Sequence, residues 1–166
     1  MRRERGFTLL ELTIVIGVIS VLAAIFLDRA LVSMEAAERM AMENQARMIG
    51  SALQLQMAAL ITSGRERDMA SLARGNPLDW LQTKPPNYLG ELAVAPGDDH
   101  TAGNWYYDVG SGETVYLVRR GAGFDADARG RKEVRYRVRV VHEKFGDERA
   151  DVVGAVFQPV LPYRWR

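Results

Sequence analysis

Glu11 is the residue whose type and position most demand a chemical reason. It is the only charged residue from Phe7 to Leu27, in the run Phe7-Thr-Leu-Leu-Glu-Leu-Thr-Ile-Val-Ile16. A lone carboxylate in an apolar span costs about 2.5–3.5 kcal/mol on insertion scales, so its presence implies a function and a partner. Arg5 is a poor partner, because a basic residue ahead of the span belongs at the membrane surface. A cut between Gly6 and Phe7 would supply a better one. It would create a free α-amino group at Phe7, at the same apolar depth as Glu11 and four residues away on one helix face. Between subunits the same two groups could pair across an assembly. A buried pair of this kind is weak evidence for stability but a well-attested device for fixing register.

Other residues with chemical potential carry less. Asp98-Asp99, Asp125 and Asp127 lie in glycine-containing loops. They are weak calcium candidates, because their spacing is not that of an EF-hand and turn formation by Asp accounts for them. Arg135, Arg137 and Arg139 alternate with apolar residues, which reads as a solvated strand face with anion or partner binding as the sharper option. The two histidines, His100 and His142, are too few for a convincing metal cluster, and there are no cysteines. No glycine-rich phosphate loop and no Ser/His/Asp spacing is visible. The sequence therefore nominates no catalytic residue and no cofactor. The 22 basic and 21 acidic residues give no case for a nucleic-acid partner.

The element that must position Glu11 is the apolar run itself. Its 21 residues suffice to cross a hydrocarbon core of about 30 Å at about 1.5 Å per residue. Arg2, Arg3 and Arg5 precede it and stay cytoplasmic by the positive-inside rule, so the C-terminal part faces outward. Loss of residues 1–6 would remove those three arginines and Glu4, leaving 19 basic against 20 acidic residues. Three plainer readings compete: a simple anchor, a secretory signal cut after Val21-Leu22-Ala23, and an apolar helix in a soluble core. None of them gives Glu11 a purpose.

Gly6-Phe7-Thr8-Leu9-Leu10-Glu11-Leu12, with the basic leader before it and the apolar run after it, resembles the prepilin motif of type IV pilins and type II secretion pseudopilins. The resemblance covers residues 1–27, about a sixth of the chain. It implies that prepilin peptidase cleaves after Gly6 and methylates the amine of Phe7. It further implies that Glu11 serves assembly by facing a neighbour's N-terminus. The partners are then the peptidase, other pilin or pseudopilin subunits, and the inner membrane. The head would sit in the periplasm before incorporation into a pilus or pseudopilus. The chain departs from the family in one respect: Asp28 stands where many members have a helix-kinking proline, leaving Gly17 as the weak point of the span. Major pseudopilins often hold calcium in a loop comparable to those of the aspartates above. Asn76–Leu81 and Pro86–Glu91 are also similar to a subgroup of minor pilin-like proteins. Many abundant pilins have a C-terminal disulfide, and the lack of cysteine leans toward a minor pilin or pseudopilin over a major pilin. The reading from another class is an exported binding domain or enzyme behind an ordinary signal.

The expected fold class is α+β: a leader over 1–6, an assembly helix over 7–27, its continuation over 28–62, and a head over 63–166. The continuation is rich in Ala, Met, Glu, Arg and Gln and contains no proline. The whole helix would measure about 80 Å. Ile49, Ala52, Leu53, Met57 and Leu60 form its apolar stripe, while Glu35, Glu38, Arg39, Glu43 and Arg47 are expected to look outward. A short helix is expected over 68–73, and Trp80 and Tyr88 are expected to pack a connector onto the sheet. Four strands follow, at 105–109, 115–119, 134–141 and 152–160. Gly110-Ser-Gly112 joins the first two as a hairpin, and the expected sheet is antiparallel. Val134, Tyr136, Val138 and Val140 should point inward.

Overall fold

The structure is a computed structural model that describes residues 8–97, 99–127, 129–143 and 151–165. The chain divides into two units, residues 1–37 and 38–166. One helix, α1 (Leu9–Thr62), supplies most of the first unit and opens the second. It continues through Gly17 and Asp28 without interruption. Good helix formers fill it, and proline is absent until well beyond its end. Gly64, at φ 66°, follows its C-terminus, where the left-handed conformation is easiest for glycine.

In the first unit, the apolar side chains of α1 from Leu9 to Leu27 are exposed. An 18-residue window there reaches a mean hydropathy of 2.6, long and apolar enough to cross a membrane. In the second unit, α1 buries Met42, Ala46, Ile49, Ala52 and Leu53. This is the expected stripe shifted toward the N-terminus: Met57 and Leu60 are only half-buried.

The sheet has five strands in sequential order: β1 (Tyr88–Leu92), β2 (Trp105–Asp108), β3 (Glu113–Leu117), β4 (Glu133–Glu143) and β5 (Asp151–Pro159). The last four are antiparallel, as expected. The expectation of a wholly antiparallel sheet is corrected by β1, which pairs parallel with β2 from Tyr88↔Trp105 to Leu92↔Asp108, with a slip in register between Tyr88 and Glu91. A parallel pair needs a crossover, because a tight turn would reverse the chain. Residues 93–104 provide it and include the 3₁₀ turn Asp99–Thr101.

The packed face of the sheet carries Trp105, Tyr116, Val134 and Tyr136, which form one cluster with Met42 and Ala46 of α1 and with Phe124 and Trp165. Aromatic rings dominate it: Trp105 lies 5.0 Å from Tyr116, and Tyr136 stacks 5.1 Å from Phe157. A second cluster joins Leu53, Val138 and Ala155, covered by Leu72, Ala73 and Trp80. Trp80 and Tyr88 thus pack as expected, Tyr88 against the first cluster. The short helix expected at 68–73 is a 3₁₀ helix, Glu66–Arg74. A second 3₁₀ turn, Pro77–Trp80, is capped by Asn76, whose side chain accepts from the Leu78 N–H.

Candidate functional site

The N-terminal site begins where α1 begins. Gly6 and Phe7 lie outside the described residues. Thr8 precedes the first helical residue; its hydroxyl oxygen accepts from the Glu11 N–H at 3.2 Å and its carbonyl from the Leu12 N–H at 3.1 Å. Thr8-Leu-Leu-Glu11 therefore has the spacing of a capping box, with Thr8 as the cap and Glu11 in the first turn. A carboxylate there also meets the positive end of the helix dipole. The capping role was missed in the sequence, although the Thr-x-x-Glu pattern was there to find it. It places the expected cut two residues ahead of the helix. Among the described residues no hydrogen bond or ion pair holds the Glu11 carboxylate, which is exposed.

The head holds a second carboxylate that sequence reasoning placed wrongly. Glu38 was expected to look outward, yet its side chain is 8% exposed. One carboxylate oxygen accepts from the Tyr116 hydroxyl at 3.0 Å and the Arg119 N–H at 2.7 Å; the other accepts from the Arg120 N–H at 2.9 Å. The carboxylate thereby fastens α1 to the end of β3 and the loop beyond it. The tyrosine is the donor in this bond. Burial pushes the Tyr116 hydroxyl pKa up, and the Glu38 charge and hydrogen bond push it further, so the phenol stays neutral. The signal was the spacing Glu38, Met42, Ala46, Ile49, Leu53, which puts Glu38 on the buried stripe. Arg39, next along, donates to the Trp165 carbonyl at 2.7 Å and pairs with Glu43 at 3.0 Å.

The arginine strand is only partly a solvated face. Val134, Tyr136 and Val138 are buried as expected, and Val140 is half-buried. On the other face Arg135 is enclosed by carboxylates: Glu133 at 2.7 Å, Glu113 at 2.9 Å and Asp108 at 3.2 Å. Burial alone would weaken its charge, but these bonds outweigh it and raise the Arg135 pKa. Arg137 bonds Glu113 at 2.6 Å. Arg139 is exposed and makes no ion pair among the described residues. Asp108 also accepts from the Gly110 and Ser111 N–H groups in the β2–β3 hairpin.

Of the calcium candidates, Asp125 and Asp127 lie in the loop before β4. Asp98 lies outside the described residues, and Asp99 opens the 3₁₀ turn in the crossover. Asp127 folds its own loop: its carboxylate accepts from the Arg129 and Arg131 N–H groups at 2.9 and 2.8 Å. The Asp125 N–H donates to the Arg164 carbonyl. Among the described residues no three His, Asp or Glu side chains are grouped as metal ligands would be.

Residues 1–27 match the family model of the prokaryotic N-terminal methylation motif. Comparison with curated proteins and with solved structures returns no match. The motif implies processing by prepilin peptidase and assembly with other pilin subunits, and with the apolar helix it is consistent with an inner-membrane anchor and a periplasmic head. The N-terminal methylation motif, the long apolar helix behind it and the α+β head are together consistent with a type IV pilin-like protein.

Proposed function

We propose that the chain is a non-enzymatic subunit of a type IV pilus or type II secretion pseudopilus, in the role of a minor pilin or pseudopilin. The observation that carries this reading is Glu11 set in an apolar helix directly behind the methylation motif. Cleavage after Gly6 discards the basic leader and leaves a methylated Phe7 amine as the charge partner of Glu11. The helix then leaves the inner membrane by packing among the helices of other subunits, where the carboxylate of one meets the amine of the next. The absence of cysteine supports a minor pilin or pseudopilin over a disulfide-bearing major pilin. The head provides contacts to other subunits or to exported cargo.

Fractionation tests this reading. The native chain should co-purify with filaments sheared from the cell surface or with a pseudopilus preparation. Glu11→Leu should still be processed but should remain in the membrane fraction. Normal incorporation of the variant would remove the pairing role from Glu11.

A further inference from the structure

The residue types ahead of α1 do little to stop it from growing backward. Arg2, Arg3, Glu4 and Arg5 are good helix formers, proline is absent, and Gly6 alone is a poor one. The start is set at Thr8. Its hydroxyl oxygen accepts from the Glu11 N–H, and its carbonyl accepts from the Leu12 N–H. A longer helix would give the Glu11 N–H to the Phe7 carbonyl, four residues back, so the Thr8 cap takes the donor that backward growth needs. In sequence, Phe7 and Leu12 occupy the N′ and N4 positions of a hydrophobic staple, a pattern that fixes how a chain enters its helix. Thr13 is a contrast: its hydroxyl donates to the Leu9 carbonyl at 2.9 Å inside the helix and caps nothing.

The bond to be cut joins Gly6 to Phe7, just ahead of this cap, within the segment that matches the methylation motif. Water adds across that amide, leaving a carboxylate on Gly6 and an amine on Phe7. The attack must reach the carbonyl carbon from above or below the amide plane. An amide inside a helix hides both faces among neighbouring turns and binds its oxygen to the N–H four residues on. If α1 ran back past Thr8, the Leu10 N–H would bond the Gly6 carbonyl and close the scissile amide into a turn.

We propose that Thr8 is a positioning residue for processing: its cap ends α1 just after the cut and keeps the Gly6-Phe7 amide out of the helix, where the peptidase can reach it. The proposal rests on the reading of Gly6-Phe7 as the cleavage bond and adds the residue that holds this bond accessible. Glu11 contributes only its backbone N–H to the cap. Glu11→Leu therefore leaves the cap in place, in agreement with the expectation that this variant is still processed.

The test uses the purified full-length precursor in detergent micelles with an active prepilin peptidase, and follows the mature chain by intact mass. Losing the cap lowers the fraction of precursor that is competent to bind, which raises KM and leaves kcat unchanged. Thr8→Ala and Thr8→Val should therefore raise KM roughly fivefold. Thr8→Ser and Thr8→Asn, which also cap, should keep the native KM. The asparagine variant is decisive, because it restores the cap without the shape of threonine. Thr13→Ala should be cut like the native chain. The proposal is overturned if Thr8→Ala keeps the native KM, or if Thr13→Ala raises KM as much. It is also overturned if Thr8→Asn is as impaired as Thr8→Ala, since the peptidase would then read threonine itself. A native chain that is not cut after Gly6 would overturn the cleavage reading and the proposal with it, which sets that failure apart from the others.

Discussion

Glu38 and Asp108 show how single carboxylates hold this head together. Glu38 accepts from one phenol and two backbone N–H groups with a side chain that is almost fully buried. Hydrogen bonds to a charged group are worth about 1.5–3 kcal/mol, and removing the acceptor strands the buried Tyr116 hydroxyl. Glu38→Ala should therefore destabilise the head by roughly 2–3 kcal/mol in a denaturant titration, with Glu38→Gln intermediate. At Asp108, burial raises the carboxyl pKa, but hydrogen bonds from Ser111, Arg135 and Gly110 outweigh that and hold it below the ordinary 3.8. A depressed folded-state value means that the stabilisation is present above the unfolded value and is lost as pH falls through the folded one. Tm should thus drop on acidification below about pH 4, and Asp108→Asn should lose less over the same range. The prominence of Glu11 was legible in the sequence, because one charge in an apolar run stands out without knowledge of the fold. The enclosure of Arg135 was not, since Asp108, Glu113 and Glu133 converge on it only when β2, β3 and β4 pair.

At the scale of elements, α1 and the four antiparallel strands could be read from local pattern: helix formers without proline, then alternation and a glycine-rich turn. β1 could not. Its five residues, Tyr-Leu-Gly-Glu-Leu, include Gly90 at φ 100°; exposure alternates along the folded strand but apolar and polar residue types do not, and its parallel partner lies across a twelve-residue crossover. What fixes β1 is contact at a distance. The Trp105 N–H donates to the Asn87 carbonyl, and the Asn87 side chain donates to the Gly103 carbonyl at 2.7 Å. Gly103 is the exacting position of this crossover. Its φ is 86°, its N–H donates to the Leu117 carbonyl, and a Cβ there would meet the Arg119 guanidinium at 2.8 Å. Gly103→Ala should lower stability by about 1–2 kcal/mol, from left-handed strain and displacement of Arg119. Calorimetry on the purified chain would read this as a lower Tm. Gly64→Ala, with the same sign of φ but open space around it, should cost less.

At the scale of the whole molecule, the two units present opposite surfaces. In residues 8–37 the helix exposes its apolar side chains, whereas the head of residues 38–166 buries an aromatic core behind a face of paired charges. A water-soluble monomer gains nothing from the first arrangement, while a membrane anchor that later joins a bundle of like helices requires it. The first 27 residues match a family model, so the motif for processing was legible in the sequence, whereas the looser similarity at Asn76–Leu81 and Pro86–Glu91 does not say what the head contacts. Cleavage of one bond, that between Gly6 and Phe7, is what would turn the membrane-anchored precursor into a subunit. Intact-mass and N-terminal peptide mass spectrometry of the chain isolated from cells with an active prepilin peptidase tests it most directly. A mature protein beginning at N-methylated Phe7 is the predicted result. A mature chain that begins at Ala24, or one that keeps residues 1–6, would contradict it.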